Sequence, residues 1–245
     1  MKIYDAHCHL HEFSLDEVEK FKDYVIVAVS DDYESSLKTL ELAEKFSNVI
    51  PCVGVHPWQV GSSDATVLEE FKLLLRDRDD IRCLGEIGLD KRFYVESYGK
   101  QLEFFKFFLN MAREYDLVVN AHALDAWKEV FDLLLKYEVN IALLHWYTGP
   151  LDLLEEIEEA GFYVTVNPSI SIQPKHLEAV VEADVKCLLS ESDGPYVYRG
   201  RRLSPDMIAD AIRLLAEHKA ISVEELALSI EANFYKAFGK ALRRS

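Results

Sequence analysis

Eight short apolar runs alternate with longer stretches of helical spacing along this chain, and no other feature restricts its fold as much. The runs are residues 2–9, 24–30, 49–57, 81–90, 117–124, 140–149, 162–168 and 185–193, each rich in Val, Ile, Leu, Phe or Tyr and bounded by Gly, Pro, Asp or Asn. Between them, 36–46 places Leu37, Leu40, Ala43 and Phe46 on one stripe, and 98–115 does the same with Leu102, Phe105, Leu109 and Ala112. Residues 125–137 and 151–161 continue the pattern, and two helices opening near Ser204-Pro205 and Ser222 finish the chain. Eight strands alternating with helices predict an α/β fold, a single-domain (β/α)8 TIM barrel over residues 1–245. The rival, an open doubly wound sheet for a nucleotide, lacks both G-x-G-x-x-G and G-x-x-x-x-G-K-[ST].

Composition agrees with a large buried core. The 245 residues are 49% hydrophobic and 29% charged, with 10 Gly and 7 Pro, which excludes a disordered or collagen-like chain. No apolar run approaches the ~20 residues of a membrane span, and the start MKIYDAHCHLHEF has no apolar signal core. The expectation is a cytoplasmic protein with no membrane contact and no need to oligomerise. Net charge is 27 − 43 = −16, which argues against an extended nucleic-acid-binding face but leaves room for local cations or a metal at one site. Cys8, Cys52, Cys83 and Cys187 all fall in apolar runs with no C-x-x-C, so buried free thiols are expected.

Polar residues collect where strands end. His7 and His9 close the first run, His56 the third, Glu86 the fourth, His122 the fifth, His145 the sixth and Asp193 the eighth. In a barrel these ends converge on the mouth that carries the active site. Two residues apart on a strand, His7 and His9 share a face and can share an ion, whereas Cys8 points away. His122 or His145 taken singly reads first as a satisfied core histidine, a reading that weakens once five of eight histidines stand at strand ends. Strand parity puts Glu86 with Leu84 on one face and Cys83 with Ile87 on the other. Asp193, before Gly194-Pro195, is placed to bind a metal and to accept a proton. Glu191 and Asp90 read as supporting carboxylates and Asp5 as structural, whereas His176 and His218 read as solvated. Four imidazoles and two carboxylates suit Zn, Mn, Fe or Mg, and six ligands suit two ions bridged by a carboxylate. Lys91, Arg92, Arg199, Arg201 and Arg202 lie in loops on the same mouth and could supply local positive charge.

The segments His7-Cys8-His9-Leu10, Gly54-Val55-His56-Pro57, Gly85-Glu86-Ile87-Gly88-Leu89-Asp90, His145-Trp146-Tyr147-Thr148-Gly149 and Glu191-Ser192-Asp193-Gly194-Pro195-Tyr196 resemble the TatD-type metal-dependent hydrolases of the amidohydrolase superfamily. The resemblance implies two divalent ions (Zn, Mg or Mn), one held by His7, His9, Glu86 and Asp193, the other by Glu86, His122 and His145. It further implies that Glu86 bridges, that His56 faces the substrate phosphate and that Asp193 is the general base. The implied activity is hydrolysis of a small phosphodiester or a DNA end by a metal-activated hydroxide, with 3′-5′ exonuclease character. Four positions depart from the family pattern. His11 stands for an Asp, Lys91 for a Tyr, Ala123-Leu124 lacks an Arg, and Leu203 stands for an Asn. The metal ligands are thus kept and part of the substrate-contacting set is not. The alternative on the same barrel is an amide, lactone or other ester hydrolase; many such relatives bridge their metals with a carbamylated Lys where this chain has Glu86. A metal-binding barrel without catalysis is the rival from another class.

Overall fold

The structure, a computed structural model, describes residues 1–242. Its elements run β1 (Tyr4–Cys8), α1 (Leu15–Lys20), β2 (Val25–Ala28), α2 (Tyr33–Lys45), β3 (Val49–Val53), α3 (Pro57–Val60), α4 (Val67–Asp77), β4 (Cys83–Gly88), α5 (Tyr98–Tyr115) and β5 (Val118–His122). They continue with α6 (Trp127–Lys136), β6 (Ala142–Leu144), α7 (Leu153–Glu159), β7 (Tyr163–Val166), α8 (Pro174–Glu182), β8 (Leu188–Ser190), a hairpin of β9 (Val197–Tyr198) and β10 (Arg201–Arg202), α9 (Ile208–His218) and α10 (Val223–Leu242). β1 to β8 form one sheet in sequence order, every ladder parallel. Each falls inside one of the eight apolar runs, and the architecture is the expected (β/α)8 barrel.

The sheet closes on itself through hydrogen bonds at the β1–β8 seam. Ser190 Oγ donates to Tyr4 O, Ser192 N to Asp5 Oδ1, Asp193 N to His7 O and His9 N to Gly194 O. One apolar cluster takes residues from every strand, including Val27, Ile50, Cys52, Cys83, Val118, Leu143, Tyr163 and Leu189, and is the barrel interior. A larger cluster packs helices on the outer face, with Leu84, Ile87, Val119 and Leu144 meeting Phe105, Phe108, Val130 and Phe131. Among the described residues no helix is long and apolar enough to cross a membrane.

Four local expectations are corrected. Cys52 and Cys83 are register partners on adjacent strands with Cα atoms 4.4 Å apart, and they form a disulfide; only Cys8 and Cys187 are free. Their separation of 31 residues gave no hint of the pairing. On β4, Cys83 belongs to the interior and Leu84 to the outer cluster, yet Glu86 faces the mouth, because the β4–β5 ladder shifts register between Leu84 and Ile87. Simple alternation fails across such an irregularity. Leu37 is exposed; α2 buries Ser36, Thr39, Leu40 and Ala43 instead, with Ser36 Oγ donating to Asp32 O and Ser30 Oγ to Thr39 Oγ1. Lastly, His176 is buried rather than solvated: its Nε2 accepts from Asn167 N and its Nδ1 donates to Tyr147 O, joining the β6 and β7 loops.

Candidate metal centre

Strand ends bring His7, His9, Glu86, His122, His145 and Asp193 into one cluster, and Glu86 lies at its middle. Its Oε2 is 3.2 Å from His7 Nε2 and 3.3 Å from His9 Nε2, while Asp193 Oδ1 is 3.5 and 3.4 Å from the same two nitrogens. Its Oε1 is 2.7 Å from His122 Nδ1, 2.9 Å from His145 Nε2 and 3.1 Å from His56 Nε2. One carboxylate therefore serves two groups of imidazoles, one with each oxygen. Close strand approach makes this possible. Gly88 has φ +147°, and a Cβ there would fall 1.9 Å from His122 O, so only glycine lets β4 lie this near β5. Asp193 (φ 52°) and Trp146 (φ 43°) occupy the left-handed region directly beside the cluster, a concentration of backbone strain typical of functional sites.

Outward-facing nitrogens of the imidazoles point toward polar side chains, with hydrogen bonds at His7 and His122, whereas His9 Nδ1 and His145 Nδ1 lie near carboxylates without one. Asn120 Oδ1 is 2.7 Å from His7 Nδ1, Asp90 Oδ2 3.1 Å from His122 Nε2, Asp31 Oδ1 3.1 Å from His9 Nδ1 and Glu191 Oε1 3.6 Å from His145 Nδ1. Since Asn120 Nδ2 donates to Ala6 O, its oxygen must face His7, which makes His7 Nδ1 a donor to Asn120 and leaves Nε2 toward the carboxylates. That Nε2 is fully buried and has no hydrogen-bond partner. A buried imidazole nitrogen aimed at two carboxylates needs a proton or a metal ion between them, and outer acceptors of this kind accompany metal-bound histidines. The donor set fits divalent ions. His56 differs from the rest: its Nδ1 accepts from Trp58 N, so Nε2 carries the hydrogen and faces the cavity as a donor.

Electrostatics are set by burial against charge. Burial pushes the Glu86 carboxyl up, but His145 and His7, with a hydrogen bond from His122, outweigh it and hold it well below the usual carboxylate range. His7 and His9 do the same for Asp193. In return His7 is raised to about 9, burial and His145 being overcome by Glu86 and Asp193, and His9 and His145 are raised well above an ordinary imidazole. Burial keeps His56 low and neutral. Asp5 is raised to about 7 by burial, and it spends Oδ1 on Ser192 N and His7 N at the seam.

The cluster floors a cavity of about 330 Å³. Its walls include Trp58, Phe93, Trp146, Tyr196 and Tyr198, which reading for charged residues alone passed over. Asp31 and Asn120 were also missed as partners, although both stand at or near strand ends, where the same positional reasoning would have found them. Of the expected substrate contacts, His56 lines the cavity and Lys91, Arg199 and Arg201 do not. Lys91 pairs with Glu129 in a separate outer groove. Arg199 Nη1 donates to Ile172 O, and Arg201 Nη1 to Ser171 Oγ. Their sequence positions put them on the right loops, but the side chains are claimed by local acceptors.

The chain is similar to known proteins over nearly its whole length. An uncharacterized metal-dependent hydrolase of Methanocaldococcus jannaschii is similar at 30% identity over 251 residues, covering 99% of each chain. Deoxyribonuclease TATDN3 of Homo sapiens is similar at 28% identity, over 96% of this chain and 94% of its own. The solved structure of YJJV, a TatD homologue from Escherichia coli K12, shares the fold with a TM-score of 0.89 at 24% identity, over 97% of this chain and 98% of that one. The family model described as TatD related DNase matches residues 4–239, nearly the whole length, and the chain belongs to that family.

Proposed function

We propose that this protein is a metal-dependent phosphodiesterase of the deoxyribonuclease type, acting at the ends of its substrate. The observation that carries the reading is the division of Glu86 between two imidazole groups, Oε2 toward His7 and His9, Oε1 toward His122 and His145. His7, His9, Glu86 and Asp193 would hold one divalent ion and Glu86, His122 and His145 a second. When bound, such ions act as Lewis acids and lower the pKa of water.

The chain's own groups do the rest. Neutral His56 lines the cavity with its Nε2–H 3.1 Å from Glu86 Oε1, and it can re-aim that hydrogen to a non-bridging phosphoryl oxygen as charge builds there. Asp193, held ionised, can accept the proton of the attacking water and pass it to the departing alkoxide as the P–O ester bond breaks. Asp90 and Asn120 hydrogen-bond His122 and His7 and keep them oriented, and Asp31 sets a negative charge 3.1 Å from His9 Nδ1. A glutamate at this bridging position favours the phosphoester over the carbonyl branch.

Purified protein should hydrolyse bis(p-nitrophenyl) phosphate and single-stranded DNA, lose both activities to a chelator, and regain them on metal add-back. Turnover that survives exhaustive chelation, or hydrolysis confined to lactones and amides, overturns the proposal.

A further inference from the structure

Beside the cluster, where β1 and β2 end, a second carboxylate repeats the arrangement that Glu86 makes. Asp31, in the loop after β2, places Oδ1 3.1 Å from His9 Nδ1 and Oδ2 3.1 Å from His11 Nε2. His9, His11 and Asp31 each bring a ligand atom within 4.8 Å of the others. Of the four such groups among the described residues, it is the one that includes neither Glu86 nor Asp193.

The backbone holds this carboxylate in place. Asp31 N donates to Ser35 Oγ at 2.9 Å, and Asp31 O accepts from His56 N at 2.8 Å. His11 stands in the turn Leu10–Glu12 with Nδ1 3.2 Å from Val29 O. A carbonyl only accepts, so Nδ1 is the donor there and Nε2 is left facing Asp31. His9 Nδ1 is buried and has no hydrogen-bond partner, although Asp31 lies beside it. Two imidazole nitrogens turned on one buried carboxylate need a hydrogen or a cation between each pair.

Charge and donor chemistry favour the cation. Glu12 and Asp31 make this the acidic side of the cavity, in a chain whose net charge is −16. Two imidazoles and one carboxylate, with a position left for water, form a ligand set that suits a transition ion such as Zn. His11 is also one of the four positions at which the chain departs from the family pattern, an imidazole in place of a carboxylate.

We propose that His9 Nδ1, His11 Nε2 and Asp31 form a further divalent-cation site, separate from the two positions that Glu86 divides. His9 then serves both sides, Nε2 toward Glu86 and Nδ1 toward Asp31, and its ring proton leaves for solvent on binding. An ion here turns an acidic wall positive. With three protein donors it keeps at least one position for water or for an anionic group of a ligand in the cavity.

The test counts ions. Metal-free wild type and His11→Gln are dialysed to equilibrium against one saturating Zn(II) solution, and the zinc in each is measured. Wild type should hold one ion more per chain than His11→Gln. With histidine nitrogens labelled for NMR, Zn(II) should move the wild-type His11 Nε2 resonance to the metal-bound position. The resonances of His122 and His145 should respond alike in both proteins. Equal zinc in the two proteins, or a His11 Nε2 resonance that Zn(II) leaves in place, overturns the site. Should His11→Gln fail to fold, the wild-type resonance decides alone. Zinc bound at His11 without turnover of bis(p-nitrophenyl) phosphate removes the phosphodiesterase reading and leaves this site standing.

Discussion

Asn120 Oδ1 lies 2.7 Å from His7 Nδ1, and the same amide donates through Nδ2 to Ala6 O, so a buried side chain on β5 decides which nitrogen of a β1 histidine faces the cluster. Asn120→Leu should remove that instruction and weaken metal binding by roughly 10- to 100-fold. Asn120→Asp, which keeps an acceptor in place, should recover most of the loss. Titration against a chromogenic chelator reads both, and unchanged affinity in Asn120→Leu would show that the amide does not set the tautomer.

Removing the central carboxylate and removing the peripheral one should give different signatures. Glu86→Gln should lower bound metal at both positions and phosphodiester turnover by about 10³-fold or more. Asp193→Asn should retain the ion held by the His122 and His145 group while turnover falls about 10²- to 10⁴-fold. Elemental analysis beside kcat separates the two. A Glu86→Gln protein with full metal content would sink the bridging assignment.

Protonation makes the effect of metal on stability depend on pH. In the metal-free protein His7 is raised to about 9 from an ordinary 6.5, so its proton stabilises the fold fully below pH 6.5, and that stabilisation is lost as pH rises through 9. A bound cation would occupy the place of that proton. The gain in Tm on adding metal should therefore grow between pH 6.5 and 9, and binding should release protons. Calorimetry in buffers of different ionisation enthalpy counts those protons; a metal-induced Tm shift that shrinks with rising pH would contradict the scheme.

His176 carries the opposite sign. Burial lowers it to about 4 while it joins Asn167 N to Tyr147 O, so the unfolded chain binds its proton at higher pH than the folded one. Stability from this group is present above pH 6.5 and lost as pH falls toward 4, up to about 3 kcal/mol. Chemical denaturation of wild type and His176→Gln across pH 4–7 should show the wild type losing more on acidification.

Sequence reading recovered the barrel because periodicity and strand-end punctuation are local signals, and it gathered His7, His9, Glu86, His122, His145 and Asp193 because barrel topology converts strand ends into one place. Contacts decided by neighbours were hidden from it. The Cys52–Cys83 disulfide depends on the register of β3 against β4. Glu86 reached the correct side by an irregular ladder rather than by the alternation that predicted it. His176 looked like a surface residue at a helix start and is buried by two loops distant in sequence. Lys91 and Arg201 sit on the expected loops, but nearby Glu129 and Ser171 determine where their side chains go.

The β1–β8 seam has a consequence for how the protein comes into being. His7 leaves the ribosome well before Asp193, whose amide donates to His7 O across the seam. A nascent chain released early can thus present imidazoles but not the finished cation cradle. Completion of the cluster and locking of the cylinder therefore coincide, and both wait for the eighth strand.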